Sequence, residues 1–190
     1  MKSEDLSMVR KMIEVIGDNP NRPGVVKTPE RVLKAWDVQF AGYKQDPVEI
    51  LSSQFSEDIP SDGLIYLRDI EFFSTCEHHI LPFYGSAHVG YIPAPGGVVV
   101  GISKLARLVD CFARRLQIQE RIADQVTTAI MDNLQCLGAI CIIEARHLCI
   151  ACRGVAKQHS IMGCSSIKGI FHSDTAARAE AISLLLRGTK

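Results

Sequence analysis

Apolar residues recur at helical spacing in several segments of the chain. In residues 3–17 they follow an i, i+3, i+4, i+7 pattern, which predicts an amphipathic helix. A second helix is predicted from Thr28-Pro29-Glu30, which supplies an N-cap, a proline and an acid for the first turn. A third helix is predicted to begin at Ser103, and a fourth covers residues 118–134 and is stopped by Gly138. A last helix is predicted after the cap Ser173-Asp174.

Between these helices the pattern changes to the alternating or continuous apolar runs of strands. Strands are predicted at Leu64–Phe73, Ser86–Ile92, Val98–Ile102, Ala139–Ile143 and near residues 152–160. Pro93–Gly97 is rich in turn residues, so it predicts a hairpin that pairs the second strand with the third. Hairpin strands with helix pairs between them favour an α+β fold built on an antiparallel sheet.

The change of pattern also predicts the domain organisation. We expect residues 1–62 to form an N-terminal helical arm and connector, and residues 63–190 to form the domain that carries the sheet. The arm alone is too short to build a stable core, so it is expected to pack on the rest of the chain or on another subunit.

Composition narrows the class of protein. Of 190 residues, 47% are hydrophobic, and 21 Lys and Arg balance 21 Asp and Glu, so no global charge points to nucleic acid or to a membrane surface. No apolar run approaches the roughly 20 residues that span a bilayer. Seven cysteines, an odd number, follow no secretory signal, which indicates the reducing cytoplasm with thiols free or bound to metal.

Two clusters carry the chemistry. Cys76-Glu77-His78-His79 crowds a thiol, a carboxylate and two imidazoles together, and His147-Leu148-Cys149 lies far downstream. Zinc binds Cys sulfur and His nitrogen, and catalytic zinc sites use three protein ligands and leave one position open. The sequence therefore predicts Zn²⁺ on Cys76, His79 and Cys149.

The remaining polar residues of the two clusters are candidates for proton transfer. If the strand through Ala139–Ile143 continues, His147 and Cys149 project to the same face. His78 precedes a ligand and must point elsewhere, so His78, His147 and Glu77 are expected to lie within reach of the metal. Because zinc lowers the pKa of a bound water to about 7, this chemistry would be hydrolysis at an electrophilic carbon.

Cationic residues accompany these clusters in sequence. Several cations converging on one cleft would suit phosphate groups. Gln119-Glu120 is a candidate reader of a purine, since a carboxylate accepts two N–H bonds from a guanine edge. The candidate cations are Lys104, Arg107, Arg153, Arg31 and Lys34. The hydroxyl of Ser103, next to Lys104, is a further candidate for substrate binding.

Two other zinc chemistries compete with this interpretation. Nucleobase deaminases show His-x-Glu and Pro-Cys-x-x-Cys; the chain has Cys149-x-x-Cys152 but no preceding proline and no His-x-Glu. Alternatively, Cys152 could supply a fourth ligand, which would make the zinc structural and the protein a non-catalytic oligomer.

Seven segments, in order and spacing, resemble the GTP cyclohydrolase I family. They run through nearly the whole chain from residue 20 to about residue 171: Thr28–Lys34, Ser74–His79, Tyr91–Pro93, Gly101–Arg107, Arg115–Arg121, Glu144–Cys149 and Arg153–Val155. The run Met162-Gly163-Cys164 departs from the polar pattern usual in that family.

The resemblance implies a tunnelling fold in a toroidal homo-oligomer, typically a decamer, with active sites between subunits. It implies conversion of GTP and water to 7,8-dihydroneopterin triphosphate and formate, with zinc on Cys76, His79 and Cys149. This reaction opens pterin biosynthesis on the tetrahydrofolate, tetrahydrobiopterin or deazaguanine route, and the sequence leaves the choice among the three open. His78 is implied as the main acid–base group and His147 as a second. The implied substrate contacts are Glu120 and the backbone near Gln119 to guanine, Ser103 to the ribose–phosphate region, Lys104, Arg107 and Arg153 to the triphosphate, and Arg31 and Lys34 from a neighbouring subunit.

Overall fold

The computed structural model describes residues 2–55 and 63–188. It divides into two compact units, Met1–Ala41 and Gly42–Lys190. The boundary predicted between residues 62 and 63 falls at the edge of a segment outside the described residues, and it stays a prediction.

The first unit is a pair of helices, α1 (Ser3–Ile16) and α2 (Thr28–Gln39). They pack against each other and bury Val9 and Ile13 of α1 and Pro29 of α2, and the two α1 residues are apolar positions that the helical pattern had indicated. Gly17 ends α1 in the left-handed conformation at φ 100°, which favours glycine at this position.

The second unit holds a five-stranded sheet, a small two-stranded sheet and the remaining helices. A 3₁₀ turn at Ala41–Lys44 opens it. Its strands are β1 (Gln54–Phe55), β2 (Ile65–Cys76), β3 (Leu81–Pro93), β4 (Val99–Val100), β5 (Leu116–Gln117), β6 (Cys136–His147) and β7 (Met162–Gly169). Its helices are α3 (Pro47–Leu51), α4 (Ile102–Ala113), α5 (Gln119–Asn133), α6 (Leu148–Ala151), α7 (Ile170–Ser173) and α8 (Thr175–Leu186).

The order of the large sheet is β5-β2-β3-β6-β7. All pairs are antiparallel except β2 with β5, which is parallel. Long β3 lies at the centre and pairs along its length with β2 on one side and β6 on the other. This confirms the α+β class with a mainly antiparallel sheet.

Three local predictions were wrong. Residues 98–102 do not return beside β3, because both edges of β3 are occupied; β4 pairs with β1 instead. Gly138 does not stop a helix, since α5 ends at Asn133 and Gly138 lies inside β6, where a Cβ would come within 2.8 Å of Lys168 O. The strand expected near residues 152–160 begins later, at Met162.

The core lies on both faces of the large sheet. Helices α4 and α5 cover one face with a large apolar cluster that includes Leu108, Ile122 and Val126. The other face carries a smaller cluster of Ile140 and Ile142 with Phe171 and residues of α8. Among the described residues, no helix has both the length and the apolar character to cross a bilayer.

Candidate metal centre

The first cluster forms the turn between β2 and β3. Cys76 is the last residue of β2 and pairs with Leu81, the first residue of β3. The amides of His79 and Ile80 both donate to the Cys76 carbonyl, at 3.3 and 2.8 Å. Ile80 takes the left-handed conformation at φ 54°, which closes the turn and leaves both histidines exposed at its tip.

The second cluster reaches the same place through the sheet register. His147 ends β6 directly opposite Phe83 on β3, two residues past the start of that strand. The strand does not continue as expected: Leu148–Ala151 form the helical turn α6, so strand alternation does not place Cys149. The helical turn brings Cys149 back toward Cys76 and buries it.

Cys76, His79 and Cys149 form a compact ligand triad. One donor atom from each lies within 4.8 Å of the others, and Cys76 Sγ is 3.8 Å from His79 Nδ1. Zinc–ligand bonds of about 2.3 Å to sulfur and 2.0–2.1 Å to nitrogen give tetrahedral edges of about 3.6–3.8 Å. The spacing therefore suits one tetrahedral metal ion with little adjustment.

The charge on the two thiols of the triad depends on whether a cation lies between them. Burial raises the pKa of the Cys149 thiol, and the adjacent Cys76 raises it further. Without a nearby cation Cys149 therefore favours its neutral thiol, and a bound divalent metal would supply the positive charge that stabilises two adjacent thiolates. A third, exposed ligand, His79, leaves one side of the site open.

Cys152 does not join the triad. Its thiol is exposed and donates to the Leu148 carbonyl at 2.9 Å, four residues back along the helical turn. The triad therefore keeps three ligands, and the four-ligand interpretation loses its candidate.

His78 lies beside the triad. Its Nδ1 is 3.9 Å from Cys76 Sγ, and its side chain is 65% exposed. This exposure suits a group that exchanges protons with a substrate or with solvent.

Glu77 takes a different role from the proton transfer considered for it. Arg121 on α5 binds both its carboxylate oxygens, at 2.5 and 3.1 Å. The guanidinium holds the pKa of Glu77 below its ordinary value. The carboxylate is thereby kept ionised and serves as an anchor for the turn.

His147 is held on two sides. Its ring stacks on Phe83 with 4.5 Å between centroids and 5° between planes. Its Nε2 lies 2.8 Å from Gln119 Oε1. Burial lowers the pKa of His147, and the charge of Glu120 opposes that change only in part, so the neutral imidazole is favoured near neutral pH.

The predicted substrate residues are distributed unevenly. Arg153 reaches the triad: its Nη1 lies 3.3 Å from His79 Nε2 and donates to the Cys149 carbonyl at 3.2 Å. Glu120 is exposed at the start of α5, beside the buried Gln119. Ser103, Lys104 and Arg107 lie in the first turns of α4, and Arg31 and Lys34 lie on α2 of the first unit.

Three contacts of the site were not anticipated. Residue type alone does not reveal that Phe83 stacks on His147, that Arg121 anchors Glu77, or that the Gln119 side chain meets His147. Arg121 and Gln119 lie two residues apart within one segment of family resemblance, which was the available signal.

Comparison with known proteins identifies the family of the chain. The profile of the GTP cyclohydrolase I family matches residues 6–186. GTP cyclohydrolase 1 of Mycobacterium tuberculosis is 47% identical over 94% of this chain and 88% of its own length. GTP cyclohydrolase 1 of Wolinella succinogenes is 49% identical over 90% of each chain. Among solved structures, an archaeosine synthase QueF-Like in the apo form aligns with a TM-score of 0.46 at 16% identity, covering 59% of this chain and 97% of that one. From the match along nearly its whole length, the chain belongs to the GTP cyclohydrolase I family.

Proposed function

We propose that the protein converts GTP and one water to 7,8-dihydroneopterin triphosphate and formate. The observation that carries this proposal is the ligand triad, open on its His79 side, with His78 beside Cys76 and His147 two residues before Cys149. Such a site suits hydrolytic attack on the electrophilic C8 of guanine better than structural metal binding, which uses four ligands.

Zinc is the metal we assign to Cys76, His79 and Cys149. Two thiolates and one imidazole form a donor set that zinc favours over magnesium or calcium. When bound, it would supply the Lewis acidity that activates water for attack.

His78 and His147 are assigned the proton transfers. His78 is exposed beside Cys76 and can protonate and deprotonate the purine nitrogen as the ring opens. His147 is half-buried and fixed by its stacking on Phe83, which suits a group that acts at one position of the substrate. The two imidazoles would therefore serve different steps.

The substrate is held by groups around these histidines. Glu120 would accept two N–H bonds from the guanine edge, with backbone groups near Gln119 completing the contact. Arg153 stands beside His79 and would neutralise phosphate charge, together with Lys104 and Arg107. Ser103 is assigned to the ribose–phosphate region, and Arg31 and Lys34 to the triphosphate of a neighbouring subunit.

Oligomerisation is supported by the edges of the large sheet. In the described part of the chain, β7 is paired only with β6, and most of β2 is unpaired on its outer side. Near that open side, Phe73 is 63% exposed and stacks on Tyr84 at 5.5 Å. Exposed edges and aromatic residues are removed from water when sheets join around a ring. We propose the tunnelling-fold toroid, a homodecamer with active sites between subunits.

We also propose that the protein works in the cytoplasm, where seven free cysteines are stable.

The test is formate release from GTP by the zinc-loaded protein, followed by fluorescence of the oxidised pterin. Equal amounts of formate and pterin are expected. Formate without pterin would limit the activity to ring opening, and absence of formate with zinc bound would overturn the proposal. The Cys149→Ala variant, which lacks one ligand, is the inactive control.

A further inference from the structure

Gln119 occupies a buried position between three elements. It is the first residue of α5, its relative exposure is 1%, and its side chain enters the place where β6 and β7 begin to pair. The amide nitrogen donates to two backbone carbonyls, Ile143 on β6 and Met162 on β7, each at 2.9 Å. The amide oxygen faces His147 Nε2 at 2.8 Å.

These contacts determine which way the amide points. Both hydrogens of Nε2 are used by the carbonyls of Ile143 and Met162. The flipped amide would set its oxygen against two carbonyl oxygens and leave both without this donor, which is costly in a buried site. Oε1 therefore faces His147, whatever side chain stands at position 162, because Met162 contributes only its backbone.

The amide orientation in turn determines the tautomer of His147. An amide oxygen only accepts, so His147 Nε2 carries the hydrogen and donates it to Gln119. In the neutral ring the lone pair then lies on Nδ1. Among the described residues, no group is hydrogen-bonded to that nitrogen, and the stack on Phe83 restrains the ring.

We propose that Gln119 is a positioning residue that holds neutral His147 in one tautomer, with the hydrogen on Nε2 and the lone pair on Nδ1. The Nδ1 lone pair is then the one ring atom that can accept a hydrogen bond from a substrate, while Nε2 remains bound to Gln119. The tautomer follows from geometry alone; its catalytic use rests on the function proposed above.

Nitrogen NMR of the zinc-loaded protein labelled with [¹⁵N]histidine tests the tautomer without any turnover. His147→Asn identifies the His147 signals among those of six histidines. At alkaline pH we expect a protonated Nε2 and an unprotonated Nδ1. A protonated Nδ1 in the wild-type protein would overturn the proposal, whether or not the protein converts GTP.

Two variants at position 119 separate positioning from simple support of the sheet. Gln119→Leu and Gln119→Glu both lose donation to the Ile143 and Met162 carbonyls, but only Glu keeps an acceptor for His147. We expect Leu to lower kcat by at least about tenfold with little change in KM, and Glu to restore most of the rate.

Equal losses in the two variants would mean that Gln119 only supports the sheet. Gln125→Leu is the matched control, because Gln125 lies on the same helix and accepts a bond from Gln117 rather than from a histidine. Its kcat should stay near the wild-type value. Thermal melting and metal content verify folding of each variant, and the wild-type tautomer decides the question if the Gln119→Leu variant fails to fold.

Discussion

Glu77 and Arg121 form a two-point ion pair, with nitrogen–oxygen distances of 2.5 and 3.1 Å, that joins the metal-ligand turn to helix α5. Glu77 lies between Cys76 and His78 in the chain, so the pair restrains both neighbours. It is a partly exposed contact whose importance lies in geometry more than in its own free energy.

Arg121→Met should therefore weaken metal binding while the fold persists. Outer contacts that orient ligands typically change metal affinity by about 10- to 100-fold, and we expect a loss near the lower end. Competition with a chromophoric chelator measures it. The control is Lys168→Met, which removes another ion pair of α5, to Asp124, away from the turn; equal losses in the two variants would contradict the anchoring role.

Cys152→Ala should retain both metal and activity. The thiol closes a helical turn through the Leu148 carbonyl and takes no part in the ligand triad. Metal content by elemental analysis is the measurement, with Cys149→Ala as the variant that loses the metal. Loss of zinc from Cys152→Ala would contradict the three-ligand model of the site.

His78→Ala should keep zinc and lose most activity. General acid–base catalysis is worth roughly 100- to 10,000-fold, and the exposed ring beside Cys76 has the freedom to perform it. Formate release at saturating GTP, with metal content measured on the same sample, decides the point. A rate near that of the wild type would exclude His78 from the mechanism.

His88 should make the protein less stable in mild acid. Burial lowers its pKa; Asp69 and Glu144 oppose that shift, and Arg68 adds to it. The unfolded chain thus binds a proton more readily than the folded one, so stability is full above the ordinary pKa of 6.5 and is lost as pH falls toward the folded pKa.

The contribution of His88 is at most about 1.4 kcal/mol per pH unit, the limit for one proton. The free energy of unfolding, measured in urea at several pH values, should fall less steeply with decreasing pH in His88→Asn, because asparagine stays neutral. The same substitution at exposed His172 is the matched control. It should leave most of the pH dependence of the free energy of unfolding unchanged. An unchanged slope in His88→Asn would show that other groups cause the acid sensitivity.

Gly85→Ala should destabilise the sheet at its centre. A Cβ at Gly85 would lie 1.9 Å from Glu144 O and 2.6 Å from Ala145 Cα, both backbone atoms of β6. Because the added methyl group would push β3 away from β6, we expect the free energy of unfolding to fall by about 3 kcal/mol. Gly163, on the other neighbour of β6, has open space at its Cβ position, so Gly163→Ala is the control in chemical denaturation.

The ligand set was predictable from sequence because it depends on residue types that zinc selects. Ligand geometry was not, since Cys149 arrives by a helical turn that no alternation pattern distinguishes from a continuing strand. Likewise, the apolar run of residues 98–102 was predicted to pair with β3. In the structure β6 pairs with that edge of β3 instead. Because β6 lies far away in sequence, no local pattern could show that the edge was occupied. The Gln119 contact required the β6–β7 register, which no local pattern contains.

The register of β3 also bears on how the metal site forms during folding. Cys76 and Cys149 lie on segments distant in sequence, and the pairing of β3 with both β2 and β6 brings these segments together. Such non-local pairing is slow because the loop entropy is lost before the contacts form. We therefore expect that an ion added early in refolding does not bind all three ligands until the strands have paired.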